Sequence, residues 1–145
     1  MKTVIQRVTS ANVAVNNKIV GKIEKGLVIL LGISDEDTEE TISKIVKKIV
    51  NLRIFSDEND KMNLSVKDIT GKILVISQFT LYADCRKGNR PSFTNAGKPE
   101  HANKLYEYFI KEVEKQEIGV EHGIFGADMK VTLTNDGPVT IILED

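Results

Sequence analysis

Cysteine is almost absent from this chain of 145 residues, and the single one, Cys85, has no partner for an internal disulfide. Tryptophan is missing, and no apolar run approaches the roughly 18 residues of a membrane-spanning helix. The 20 basic and 21 acidic side chains leave no positive excess of the kind that drives general nucleic-acid binding. The first ten residues lack the apolar core of a signal peptide. These absences predict a soluble, cytoplasmic protein whose residues 1–145 form one domain.

Several common catalytic motifs are also missing. The chain has neither a glycine-rich phosphate loop nor G-x-G-x-x-G. The two histidines, His101 and His122, have no cysteine or acidic partner at zinc-ligand spacing, so the sequence predicts no metal site. We interpret both as surface imidazoles, which leaves a Ser-His-Asp enzyme without its base. Cys85 lies in a loop beside Arg86 and Lys87, and a nucleophilic role for its thiol stays open as an alternative.

Hydrophobic periodicity predicts the secondary structure. Ile42, Ile45, Val46 and Ile49 form one apolar stripe, which predicts a helix over about 38–50. Leu105, Phe109 and Val113 recur every four residues in a second helix, from Pro99 to about 115. Alternating or continuous apolar runs predict strands at 4–8, 12–24 (a hairpin turning at 16–18), 26–34, 51–55, 72–82 and 131–143. Two helices and about seven strands predict an α+β fold, a mainly antiparallel sheet or small barrel covered by helices on one side.

The strand at 72–82 becomes polar inside its apolar run. Ser77 and Gln78 follow four apolar residues, and Thr80 lies between Phe79 and Leu81. Buried polar groups are costly unless they are hydrogen-bonded, so this pattern needs an explanation. One explanation is a strand end whose hydroxyl groups bond to nearby backbone. The other is a set of hydrogen-bond donors aimed at a reacting carbonyl, as in an oxyanion hole.

A second anomaly is the sequence Asn-Asp-Gly-Pro at 135–138, between two alternating apolar runs. It has the composition of a turn, but a hairpin turn normally ends in glycine followed by a residue with a free N–H. Proline cannot donate a hydrogen bond to a neighbouring strand. The backbone there is therefore free to serve something other than the sheet.

These two anomalous segments carry a resemblance to a known family. "SQFTLYAD" at 77–84 and "NDGPVT" at 135–140 resemble the two signature motifs of the D-aminoacyl-tRNA deacylases. The resemblance extends over essentially the entire chain. Further matching stretches are "VIQRVTSANVAV", "GLVILLGI", "NLRIFSDENDKMNLSV", "KGNRPSF" and "GIFGADM".

The resemblance implies an activity and an assembly. Members of this family hydrolyse the ester between a D-amino acid, or glycine, and the 3′-terminal adenosine of tRNA. They spare L-aminoacyl-tRNA and so act in chiral proofreading during translation. The resemblance implies no metal and no organic cofactor, with the 2′-hydroxyl of the tRNA assisting the reaction. It also implies a homodimer with its active sites at the subunit interface.

The resemblance assigns roles to the residues of the two motifs. Ser77, Gln78 and Thr80 belong to the catalytic pocket, with Gln78 and nearby N–H groups suited to the oxyanion, and Phe79 contacts the substrate. The loop with Gly137 and Pro138 enters the partner's pocket, with the Gly-Pro peptide bond cis and its carbonyl oxygens facing the α-ammonium of the substrate.

Two further groups have a plain structural alternative. Phe125 and Met129, in the "GIFGADM" match, are assigned to the terminal adenine, but plain core residues would read the same way. Arg86, Lys87 and Arg90 form a basic loop that would neutralise phosphates of the acceptor end, or that needs no function as a solvated turn.

Two rival functions remain open at this point. One is a non-catalytic module that binds a tRNA end or an amino acid on the same scaffold. The other is a thiol hydrolase that depends on Cys85.

Overall fold

The structure, a computed structural model, describes all 145 residues. It contains eight strands, two α-helices and one short 3-10 helix, Phe79–Tyr82. In chain order the elements are β1 (Lys2–Val15), β2 (Lys18–Ile23), β3 (Gly26–Gly32), α1 (Glu39–Val50), β4 (Phe55–Ser56), β5 (Met62–Leu64), β6 (Lys72–Ser77), α2 (Pro99–Glu114), β7 (Val120–His122) and β8 (Lys130–Glu144). Neither helix has the length and hydropathy to cross a membrane.

β1 organises the sheet, because it pairs with three other strands. Residues 2–8 run antiparallel to β3, residues 11–15 run antiparallel to β2, and β8 follows the other edge. β6 joins β3 in parallel, and β7 joins β6 in parallel, so the sheet is mixed rather than purely antiparallel. β2 also packs against β6 and β7, which brings the sheet close to a closed barrel.

The two predicted helices are confirmed and share one face of the sheet. Thr38 caps α1, where its side chain accepts a hydrogen bond from the Thr41 N–H. α2 begins at Pro99, whose missing N–H costs nothing in a first helical turn. The apolar residues that predicted both helices are buried, and they pack together with the β1, β3 and β6 side chains on that face: Ile42, Ile45, Val46, Ile49, Leu105, Phe109 and Val113.

A second apolar cluster fills the inside of the barrel. It consists of residues from β1, β2, β3 and β6: Val8, Ala11, Val13, Ile23, Val28, Leu74 and Ile76. Burial of each larger side chain of this kind stabilises the fold by about 1.5–3 kcal/mol. Ile76 belongs to this cluster, and Ser77 follows it as the last residue of β6. The strand therefore leaves the core at Ser77.

The strand predicted at 51–55 is wrong for most of its length. Asn51 instead caps the C-terminus of α1, and the Arg53 side chain donates to the Asn63 carbonyl at 3.0 Å. Only Phe55–Ser56 pairs, with β5. Strand-like composition was misleading here because the Asn51 and Leu52 N–H groups donate to the Lys48 and Ile49 carbonyls at the end of α1.

The turn predicted at 135–138 is also different in the structure. The apolar runs on its two sides do not pair with each other, since both pair with β1 as parts of the single strand β8. Gln6 faces Thr140 and Val8 faces Asn135, so residues 136–139 bulge out opposite Arg7 alone. A proline is tolerated at a bulge because no ladder hydrogen bond is required of it.

Candidate active site

A pocket of about 810 Å³ lies at the end of β6. Its walls come from the chain after β6, the loop before α2, the first turn of α2, and the segment before β8. Five of the residues that the sequence analysis singled out line it together: Ser77, Gln78, Phe79, Phe125 and Met129. Thr80 lies beside the pocket without lining it.

The backbone at the end of β6 offers two hydrogen-bond donors. The Gln78 N–H donates to the Leu31 carbonyl at 2.8 Å, which ends the pairing of β6 with β3. The next two N–H groups, of Phe79 and Thr80, begin the 3-10 helix and have no partner within it. Adjacent N–H groups of this kind are suited to bind an oxygen that carries negative charge.

The side chains of Gln78 and Thr80 act as a pair. The Gln78 amide nitrogen donates to the Thr80 hydroxyl oxygen at 2.5 Å. This contact holds the Gln78 amide at the edge of the pocket and leaves its second N–H for another acceptor. The Thr80 hydroxyl therefore orients the Gln78 amide, and the Thr80 backbone N–H is a separate hydrogen-bond donor.

Two exposed phenylalanines stand together at the pocket mouth. Phe79 is 58% exposed and Phe93 is 37% exposed, and their rings meet edge to face with centroids 5.1 Å apart. Exposed aromatic pairs are unusual on a protein surface that binds nothing. Phe93 was not predicted, although an aromatic residue within a polar loop can indicate a binding site.

Phe125 and Met129 form the opposite wall. Both are half-buried, and each also packs against a core cluster, so each residue belongs to the pocket wall and to the core. Gly123 makes room for this wall, because a Cβ there would collide with the Met129 sulfur.

The pocket contains one cationic side chain, Lys98. Its ammonium forms no salt bridge, whereas its backbone N–H donates to the Asp35 carboxylate at 2.8 Å. The other carboxylate in the lining, Asp128, pairs with Lys130 at 3.0 Å. Lys98 is thus the cation of the pocket lining and is free of an ion pair, and no motif in the sequence predicted it.

The basic loop lies outside the pocket. Arg86 is held by Asp84 through two hydrogen bonds of 2.9 and 2.6 Å, and these bonds lower the pKa of Asp84 to about 2. Lys87 and Arg90 are exposed and form no salt bridge. Of the three predicted phosphate ligands, Arg86 is therefore already engaged.

The Gly137–Pro138 peptide bond is cis, as the resemblance implied. Neither residue lines the pocket of its own chain. Gly137 has φ +140°, and a Cβ there would stand 2.8 Å from the Val139 side chain. The position therefore requires glycine.

Arg7, on the neighbouring strand β1, holds the bulge at 136–139 in place. This side chain is buried, and its guanidinium donates to the Ile54 carbonyl at 2.7 Å and to the Asp136 carbonyl at 3.0 Å. Its Nε also lies 3.3 Å from the Asp136 carboxylate. An arginine in the middle of the first strand was visible in the sequence, but its partners were not.

Asn135 closes the bulge from the side. Its amide oxygen accepts the Val139 N–H at 2.7 Å, and its amide nitrogen donates to the Val139 carbonyl at 3.2 Å. The side chain thus replaces the strand partner that Val139 lacks.

Comparison with known proteins identifies close relatives. A family model described as D-Tyr-tRNA(Tyr) deacylase matches residues 4–144. Proteins named D-aminoacyl-tRNA deacylase from Thermosipho melanesiensis and Rhodopirellula baltica are each 59% identical to this chain over 99% of its length, which corresponds to 97% and 99% of theirs.

Two solved structures are also similar. One, named c-Myc DNA Unwinding Element Binding Protein, has a TM-score of 0.93 and 45% identity, covering 100% of this chain and 99% of its own. Another, described as a probable eukaryotic D-amino acid tRNA deacylase, has a TM-score of 0.81 at 19% identity, covering 98% and 97%. At that identity the second structure shows a shared fold.

Replacing Arg7 by alanine should lower the free energy of unfolding by about 2 kcal/mol, because buried carbonyls lose their charged donor. Arg7→Lys should not restore it, since lysine cannot reach two acceptors with one planar group. Urea unfolding at fixed protein concentration measures both. Gln6→Ala, which removes only a 3.3 Å contact with Thr140, is the matched control. Equal losses in Arg7→Ala and Gln6→Ala would contradict this role for Arg7.

Proposed function

Because the chain belongs to the D-aminoacyl-tRNA deacylase family, we propose that its pocket hydrolyses the ester between a D-amino acid and the 3′-terminal adenosine of tRNA. The products are the free D-amino acid and tRNA, and L-aminoacyl-tRNA is rejected. The observation that carries the proposal is the signature segment 77–80: Ser77, Gln78 and Phe79 line the pocket, and the Phe79 and Thr80 N–H groups have no partner in the helix that follows. The enzyme thereby acts in chiral proofreading during translation, in the cytoplasm where charged tRNA is used.

The chemical step needs a stabilised oxyanion. Water adds to the ester carbonyl carbon and gives up a proton, and the carbonyl oxygen becomes negatively charged. The C=O double bond then re-forms as the bond to O3′ breaks and O3′ takes a proton. We assign the binding of this oxyanion to the Phe79 and Thr80 N–H groups and the Gln78 amide. The neighbouring 2′-hydroxyl of the tRNA assists proton transfer, so the protein supplies position and electrostatics.

The rest of the pocket suits the terminal nucleotide. Phe125 and Met129 provide an apolar wall for the adenine, and Phe79 and Phe93 flank the entrance. Lys98 is the cation for the nearest phosphate, with Lys87 and Arg90 further along the acceptor end. Arg86 serves the loop itself through Asp84.

The pocket is completed by a second copy of the chain. None of the residues of the bulge at 136–139 lines the pocket of its own chain, which favours action on a partner. An apolar patch on the same sheet, formed by Val4, Leu30 and the 65% exposed Ile142, offers a surface for a two-fold dimer.

The bulge explains selection by chirality in this arrangement. The carbonyl oxygens of Gly137 and Pro138 accept hydrogen bonds from the α-ammonium of the substrate. The side chain of an L-amino acid would then point at the backbone of the bulge, whatever that side chain is. Glycine has no side chain to exclude, so glycyl-tRNA is also accepted.

The rival functions have less support. Cys85 does not line the pocket and makes no hydrogen bond to a histidine. The imidazoles of His101 and His122 lie within 3.0 and 2.7 Å of the Asp37 and Gly123 carbonyl oxygens. A thiol hydrolase would therefore lack its base.

Release of tyrosine from tRNA tests the function directly. We expect catalytic turnover of D-tyrosyl-tRNA and no acceleration with L-tyrosyl-tRNA, because only the D-form keeps its side chain away from the bulge. Cys85→Ala should react at the wild-type rate. Stoichiometric binding of D-tyrosyl-tRNA without turnover would indicate a binding module, and loss of turnover in Cys85→Ala would favour the thiol mechanism.

The Gln78–Thr80 pair should respond unequally to substitution. Gln78→Ala removes a direct oxyanion donor, so kcat should fall on the order of 10²-fold. Thr80→Val keeps the backbone N–H and removes only the acceptor that orients Gln78, so its loss should be smaller. Single-turnover rates measure both. A wild-type rate in Gln78→Ala would exclude that side chain from the chemical step.

A further inference from the structure

Tyr106 is a buried tyrosine of α2 that makes no contact with the pocket space itself. Its hydroxyl donates to the Val75 carbonyl at 3.0 Å and lies 3.3 Å from the Gly123 carbonyl. Burial raises the pKa of this phenol far above its ordinary value, so it stays a neutral donor at any working pH.

The two carbonyls belong to the two segments that build the pocket. Val75 lies two residues before Ser77, and Gly123 lies two residues before Phe125. The segments are joined here by the Gly123 N–H, which also donates to the Val75 carbonyl at 3.0 Å. Beyond this junction they separate, one toward the oxyanion donors and the other toward the apolar wall.

The ring of Tyr106 supports the same wall. Its centroid is 5.9 Å from that of Phe125, with the ring planes inclined at 48°. Gly123 in turn lies directly beneath the Met129 sulfur. A shift of Gly123 would therefore move both residues of the wall.

We propose that Tyr106 is a positioning residue whose hydroxyl holds Gly123 against β6 and so sets Phe125 and Met129 for the terminal adenosine. Its effect is on substrate binding and not on the chemical step. The proposal rests on the assignment of Phe125 and Met129 to the adenosine.

The hydrogen-bond pattern separates this role from a purely structural one. Without the phenol, the Val75 carbonyl keeps the Gly123 N–H, and the Gly123 carbonyl keeps the His122 ring nitrogen at 2.7 Å. Tyr106→Phe therefore leaves no carbonyl without a partner and retains the packing of the ring. What it removes is the link between α2 and the junction.

The experiment compares two tyrosines of one helix. Tyr108 also lies on α2, but its hydroxyl is 3.2 Å from the Ser43 hydroxyl on α1, away from the pocket. We expect Tyr106→Phe to raise KM for D-tyrosyl-tRNA about five- to tenfold, a partial loss of the stacking that one base makes with an aromatic wall. Its kcat should stay within about twofold of wild type, as binding alone is affected. Tyr108→Phe should leave both constants unchanged, and the two variants should melt at similar temperatures.

Phe125→Leu and the double variant identify the route of the effect. Because Tyr106 acts on both Phe125 and Met129, Tyr106→Phe should raise KM by a smaller factor in the Phe125→Leu background than in the wild type. An unchanged KM in Phe125→Leu alone would remove the adenosine assignment on which the inference rests. A raised KM in Phe125→Leu with an unchanged KM in Tyr106→Phe would overturn the role of Tyr106 and leave the function standing. A fall in kcat and melting temperature at constant KM in Tyr106→Phe would likewise overturn it.

Discussion

The buried guanidinium of Arg7 is the interaction on which the bulge at 136–139, and with it the proposed site, depends. A desolvated charge is tolerated only when its donors are satisfied, and β1 itself offers no acceptor on that side. Arg7 finds its acceptors in the Ile54 and Asp136 carbonyls, which lie in irregular segments. The bulge opposite Arg7 is therefore an ordered part of the sheet, because Arg7, which has no partner in β8, holds the bulge through its side chain.

The rest of the structure has two parts: the layer of helices that packs on the sheet, and the irregular segments at the strand ends and the bulge. The helices bury one face of the sheet with side chains that have no polar role, and this layer accounts for most of the core. The segments assigned to the proposed site are confined to places where strands end or bulge: Ser77–Thr80 at the end of β6, Gly123–Met129 after β7, and 136–139 within β8. Tyr106 connects the two parts, since it reaches from the helical layer to the junction of the pocket segments.

The two helices that pack on the sheet were predictable from hydrophobic periodicity. The segments of the proposed site were noticeable mainly because their residues do not fit the strand pattern around them. The stripes of α1 and α2 are local patterns of 3.6 residues, so they survive in any tertiary setting. The polar interruption at Ser77 and the Gly137–Pro138 pair marked the two segments of the proposed site because they contradict a strand pattern. Residues 51–55 misled because the Asn51 and Leu52 N–H groups bond to the end of α1, and the Ile54 carbonyl accepts from Arg7, in place of a strand partner. Lys98, Phe93 and Tyr106 were missed because their roles depend on contacts across the chain.

The central claim is that the bulge of one subunit completes the pocket of the other, and mixing two inactive variants tests it most directly. Gln78→Ala damages the pocket, and Gly137→Ala damages the bulge, so each homodimer has two defective sites. Random reassociation makes half of the dimers mixed, and each mixed dimer then has one intact pocket facing one intact bulge. The account predicts recovery to about a quarter of wild-type turnover of D-tyrosyl-tRNA. Activity of the mixture no higher than the mean of the two variants, with mixed dimers demonstrated, would contradict it.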